Sequence, residues 1–98
     1  MRVTIAFDVD GTLETSSGPV KVARLRELEL HGASVVIVSP SSLRPGGFSE
    51  RINGGRADNL RAAANHFPAD LYLYVSDNGD RADAEAAGFT YVDRMDFR

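Results

Sequence analysis

Four short, largely apolar runs, at residues 3–7, 34–38, 71–75 and 89–92, recur with helix-like stretches between them, and this alternation leaves the chain few folds to choose from. Near-continuous apolar runs of this length are what strands buried on both faces look like. Val22, Leu25 and Leu28 recur at helical spacing in the first interval, with Gly32 as a stop. Ala57, Leu60, Ala64 and Phe67 make a second stripe closed by Pro68, and residues 81–87 read as a short third helix stopped by Gly88. Strands that alternate with helices imply a parallel sheet with right-handed crossovers and helices on its faces. The expectation is one α/β domain over residues 1–98: a small three-layer, Rossmann-like parallel sheet of about four strands.

Composition narrows the class further. A chain of 98 residues without cysteine has no disulfide framework and no thiolate metal site. No apolar stretch approaches the roughly 20 residues of a membrane span. The N-terminus enters a strand directly, without a signal peptide's pattern, so a cytoplasmic protein is expected. A net charge of −3 disfavours nucleic acid and anionic membranes as partners unless the arginines cluster. Lys21 is the single lysine among eleven basic residues, so a catalytic lysine has only one place to be.

Two loops interrupt the pattern. Residues 14–19 are short and polar, whereas residues 40–55 run for sixteen residues through Pro40, Pro45, Gly46-Gly47 and Gly54-Gly55. Loops of that length inside a small domain are usually functional or mobile.

The first strand runs straight into Asp8-Val9-Asp10-Gly11-Thr12. Open parallel sheets bind ligands outside the carboxyl ends of their strands. Side chains two apart on extended chain point the same way, about 7 Å apart, so two carboxylates arrive together where a ligand would sit. Gly11 lets the chain turn sharply. A calcium loop is excluded by spacing, since counting from Asp8 places Leu13 and Pro19 where an EF-hand needs glycine and glutamate. The second run ends in Ser39, a hydroxyl at a neighbouring strand end, and the third in Ser76-Asp77-Asn78-Gly79-Asp80, an oxygen-rich cluster suited to a hard divalent cation. His31 and His66 have no partner motif and read as structural or exposed.

Taken in order, these segments resemble the haloacid dehalogenase (HAD) superfamily of phosphohydrolases. Its signature is Asp-x-Asp-Gly-Thr after the first strand, Ser or Thr after the second, Lys or Arg opening a later helix, and acids after the next strand. The resemblance spans residues 3–92 and includes Ala86-Ala87-Gly88-Phe89 after the acidic motif. It implies a magnesium-dependent phosphomonoester hydrolase in which Asp8 takes the phosphoryl group as an aspartyl phosphate and Asp10 moves the proton of the leaving group and of the attacking water. It further implies Mg2+ held by Asp8, the Asp10 carbonyl, Asp77 and Asp80, with Asp83 and Glu85 competing for the place given to Asp80. The amides of Gly11 and Thr12 and the Ser39 hydroxyl would hold the phosphoryl oxygens. Lys21 lies in the wrong segment for the cation, and Arg56 is chosen because it follows Gly54-Gly55, opens the second helix and precedes Asp77 by 21 residues. Arg61 and Arg51 are its alternatives.

Departures from the family pattern carry their own expectations. Most relatives have a further strand between the second and fourth motifs, where this chain offers only the loop at 40–55. The sheet would then run fourth, third, first, second strand, leaving the second at an edge that the loop covers or another subunit pairs with. Neither loop can hold a cap domain, so the site would be open and the phosphorylated substrate is not specified. Two other readings stand beside the enzyme: a phosphate- or metal-binding module of this fold without turnover, and a receiver-like signalling domain. The receiver pattern is unmet, since it wants adjacent acids after the first strand and a lysine after a later one.

Overall fold

The computed structural model describes residues 1–97 except for the side chain of Asn78. In chain order the elements are β1 (Val3–Phe7), α1 (Val22–Leu30), β2 (Ser34–Val38), β3 (Ser49–Arg51), α2 (Arg56–His66), β4 (Leu71–Ser76), α3 (Arg81–Ala86) and β5 (Thr90–Asp93), with single 3-10 turns at Glu14–Ser16 and Asn78–Asp80. They form an α/β domain whose five strands are all parallel, in the order β3-β2-β1-β4-β5.

Strand number and order both depart from the four-strand expectation, and for one reason. Ser49-Glu50-Arg51, inside the loop at 40–55, pairs in parallel with residues 36–38 of β2. Three polar, half-exposed residues carry no hydrophobic run, so the strand is invisible to periodicity; the edge position explains why it needs none. The Arg44 Nε–Glu50 Oε2 pair at 2.8 Å ties the preceding turn to it. The outer edge of β2 is thus taken by this chain's own loop.

Burial explains the apolar runs. In β1 and β2 every residue after the first is buried, because helices cover both faces. Ile5, Phe7, Val35, Ile37 and Val75 point to one side and pack with Leu25 of α1 and with Leu13 and Val20. Ala6, Val36, Val38, Tyr74 and Tyr91 point to the other and pack with Leu60 and Ala63 of α2 and Ala84 of α3. Period-two alternation therefore builds two cores from one sheet, giving three layers. Thr4, buried among them, donates its hydroxyl to Phe67 O at 2.7 Å and ties β1 to the end of α2. No helix among the described residues is long and apolar enough to cross a membrane.

Candidate functional site

Because all five strands are parallel, their carboxyl ends gather on one edge of the sheet, and β1, β2 and β4 there present Asp8, Ser39 and Ser76-Asp77. The Asp8 N–H extends the pairing with β4 by donating to Val75 O (3.0 Å), which fixes the carboxylate at the strand mouth. Asp8 is only 4% exposed. Burial raises its pKa above the ordinary carboxylate range; Arg56, the Val9 N–H and the Ser39 hydroxyl oppose the rise, and Asp80 adds to it.

Gly55 caps α2, so Arg56 is the first helical residue and its side chain projects back over the strand ends. Its Nη1 meets Asp80 Oδ1 at 2.8 Å and its Nη2 lies 3.5 Å from Asp8 Oδ1. The Nε–H donates to the Tyr74 hydroxyl at 2.9 Å. Burial alone would lower the Arg56 pKa, but Tyr74, Asp80 and Asp8 together raise it. The two alternative arginines lie elsewhere. Arg61 pairs with Asp58 at 3.0 Å and with Ala86 O, and Arg51 donates to Glu50 O from β3. Lys21 sits 3.9 Å from Glu14.

After β4 the chain turns through Asn78–Asp80, with Asp77 Oδ1 accepting from the Gly79 N–H at 2.9 Å. One carboxylate oxygen from each of Asp8, Asp77 and Asp80 lies within 4.8 Å of the others, and among the described residues this is the acidic group able to share an ion. Asp83 and Glu85, on α3, stand outside it. At Mg–O distances of 2.0–2.1 Å, octahedral ligands lie about 3 to 4 Å apart. The all-oxygen triad is therefore close enough to share a small, hard cation. Asp80 is also engaged within the protein, since its Oδ2 accepts a short hydrogen bond from the buried Ser76 hydroxyl while Oδ1 holds Arg56. Ser76 Oγ also lies 3.5 Å from Asp8 Oδ2.

The loop after Asp8 differs from its expected role. Gly11 adopts φ +70°, as the sharp turn requires, but its N–H donates to Ser16 O (3.2 Å) and the Thr12 N–H to Val9 O (2.9 Å). The tight winding of residues 9–13 consumes both amides expected to hold phosphate. Among the described residues the Asp10 N–H has no hydrogen-bond partner, which makes it the available donor. Thr12 turns inward, fully buried, and its Oγ1 lacks a partner. Asp10 is exposed, its Oδ1 accepting from the Ser16 hydroxyl at 3.2 Å, and its carboxylate is outside the acidic triad. Ser39 is buried, and a cleft of about 160 Å³ opens where it meets Pro40, Gly54, Arg56 and Asn59.

Two residues beside these escape sequence reading. Tyr74 sits inside an apolar strand and looks like core. Arg94, near the end of the chain, donates a short hydrogen bond to Gly11 O across 83 residues. Alternation marks the inward face of β4 that carries Tyr74, but nothing in the sequence pairs it with Arg56. Compared with protein-family models, curated proteins and solved structures, the chain finds no significant match.

Proposed function

We propose that the chain is a HAD-like phosphomonoesterase in which Asp8 is the nucleophile, acting with magnesium on a phosphorylated substrate. The observation that carries the reading is the convergence on Asp8 of two further acids, Asp77 and Asp80, and one fixed guanidinium, Arg56, at the strand ends of a parallel sheet. A carboxylate among acids would repel a phosphate ester. Arg56, charged at any working pH, and an ion in the triad offset that repulsion.

An Asp8 oxygen attacks phosphorus as the ester P–O bond breaks, and the departing oxygen takes the proton of the Asp10 carboxyl group. A water then attacks the aspartyl phosphate, gives its proton back to Asp10, and releases orthophosphate with the Asp8 carboxylate restored. Arg56 and the Ser39 hydroxyl hold phosphoryl oxygens through both steps, with the Asp10 N–H as the backbone donor. Mg2+ would be held by Asp8, the Asp10 carbonyl and Asp77 with Asp80 beside them, and would supply charge neutralisation between nucleophile and phosphate. The proton role falls to Asp10 because its exposed carboxyl group can exchange protons with solvent, whereas Asp8 is buried.

The test is hydrolysis of a generic aryl phosphate with magnesium and with chelator, comparing the parent with Asp8→Asn. Turnover in the parent with magnesium, and none in Asp8→Asn, is the expected result. Activity that survives the substitution sinks the nucleophile assignment. Magnesium binding by calorimetry without hydrolysis across a broad panel of phosphate esters would leave a binding module instead.

A further inference from the structure

Arg56 is held from three sides, and one of its holders comes from the core rather than from the acids. Its three nitrogens go to three different acceptors: Nε to Tyr74 Oη at 2.9 Å, Nη1 to Asp80 at 2.8 Å, and Nη2 toward Asp8 at 3.5 Å. The Tyr74 ring is fully buried, packed in the cluster with Ala6, Val36, Val38, Leu60 and Ala63. A phenolic hydroxyl has a single proton. Here it goes to Val38 O at 3.2 Å, leaving the lone pairs to accept from Arg56. Val38 directly precedes Ser39, so one hydroxyl links the strand end that presents Ser39 to the cation that faces Asp8.

We propose that Tyr74 is a positioning residue: its hydroxyl, bridging Val38 O and Arg56 Nε, orients the Arg56 fork over Asp8 and makes the site specific for arginine rather than lysine at position 56. A lysine ends in a compact ammonium on a flexible stem and has no counterpart of the Nε–H. Placed at position 56 it satisfies the acids by charge but leaves the Tyr74 hydroxyl without its donor. The kinetic consequence rests on the phosphomonoesterase reading, whereas the geometry is measurable without it.

The experiment is a double-mutant cycle on Tyr74→Phe and Arg56→Lys, read by magnesium-dependent aryl phosphate hydrolysis and by 15N NMR of arginine Nε–H groups in the full chain. Tyr74→Phe keeps the ring, and its fold is checked by thermal unfolding. In the parent background it is expected to lower kcat/KM about tenfold to hundredfold, the range for one lost hydrogen bond to a charged group. On top of Arg56→Lys it is expected to change kcat/KM less than about threefold, because the bond to Arg56 is already gone and only the bond to Val38 O is left to lose. Equal losses in both backgrounds overturn the proposal, since a purely structural tyrosine gives additive effects.

The spectroscopic arm stands alone. The resonance missing in Arg56→Lys identifies the Arg56 Nε–H, which in the parent exchanges with water far more slowly than that of exposed Arg2 and speeds up in Tyr74→Phe. An Arg56 Nε–H that exchanges like Arg2 in the parent, or is unchanged in Tyr74→Phe, overturns the positioning. Should the parent hydrolyse no aryl phosphate, the function reading fails while this arm still decides the geometry.

Discussion

Gly18 is a test of how rigidly the loop that follows Asp8 is backed. A Cβ built there would lie 2.1 Å from the Thr12 carbonyl carbon, 2.3 Å from its oxygen and 2.6 Å from Leu13 N, all of them backbone atoms. Ordinary contact begins near 3.4 Å, so Gly18→Ala demands a backbone shift of about 1 Å or more. The chain has little room to give. Gly18 N–H donates to Leu13 O (2.9 Å), Val20 N–H to Thr12 O (2.9 Å) and Glu14 N–H to Val20 O (2.8 Å), stapling residues 18–20 against residues 12–14. Thr12 and Leu13 are fully buried and Val20 nearly so. Overpacking of this kind typically costs about 1–3 kcal/mol. For a domain of this size that corresponds to a fall in Tm of about 4–8 °C per kcal/mol. If the strain is relieved at Thr12, the displacement propagates to Asp10 two residues away, and a misplacement of about 1 Å costs roughly a hundredfold in rate. Gly46→Ala is the control, because nothing lies within 4 Å of a Cβ at that position. Thermal unfolding followed by circular dichroism, with amide shifts at residues 11–13 and aryl phosphate turnover, reads all three effects. A Gly18→Ala protein that melts with the parent and keeps its amide shifts at 11–13 refutes the reasoning.

Two further outcomes follow from the electrostatics. Asp8 has its pKa raised on folding because burial outweighs its partners, so the folded state binds more protons than the unfolded state between the ordinary carboxylate value, about 3.9, and the folded one. Stability from this group therefore declines as pH rises through that window and stays reduced above it. In chelator at pH 7, Asp8→Asn is expected to melt above the parent, with the difference vanishing at low pH; a lower melting temperature at pH 7 contradicts burial as the dominant cause. Magnesium at a hundredfold excess over its Kd is expected to stabilise the parent by about 2.7 kcal/mol, and Asp77→Asn should need far more ion for the same rise in Tm. Equal titration curves for the two would remove Asp77 from the ion site.

What the sequence discloses and what it hides divide along a physical line. Buried parallel strands must be apolar on both faces, so β1, β2 and β4 announce themselves, and the residues just beyond them, Asp8, Ser39 and Asp77, are placed by counting alone. An edge strand has one neighbour and one wet side, so Ser49-Glu50-Arg51 carries no such signal. The same contrast runs through the site. Arg56 stands out in the sequence by its place behind paired glycines, and the fold sets it against Asp8 across 48 residues, but its support from Tyr74 depends on the register that brings β4 beside β1. Gly11 is legible as a turn, yet the turn it makes spends the very amides that its motif suggested for phosphate. A motif thus names the residues that face a ligand more readily than the backbone atoms that meet it. Side-chain identity is inherited along the chain, whereas a free N–H is what remains after every local hydrogen bond has been made.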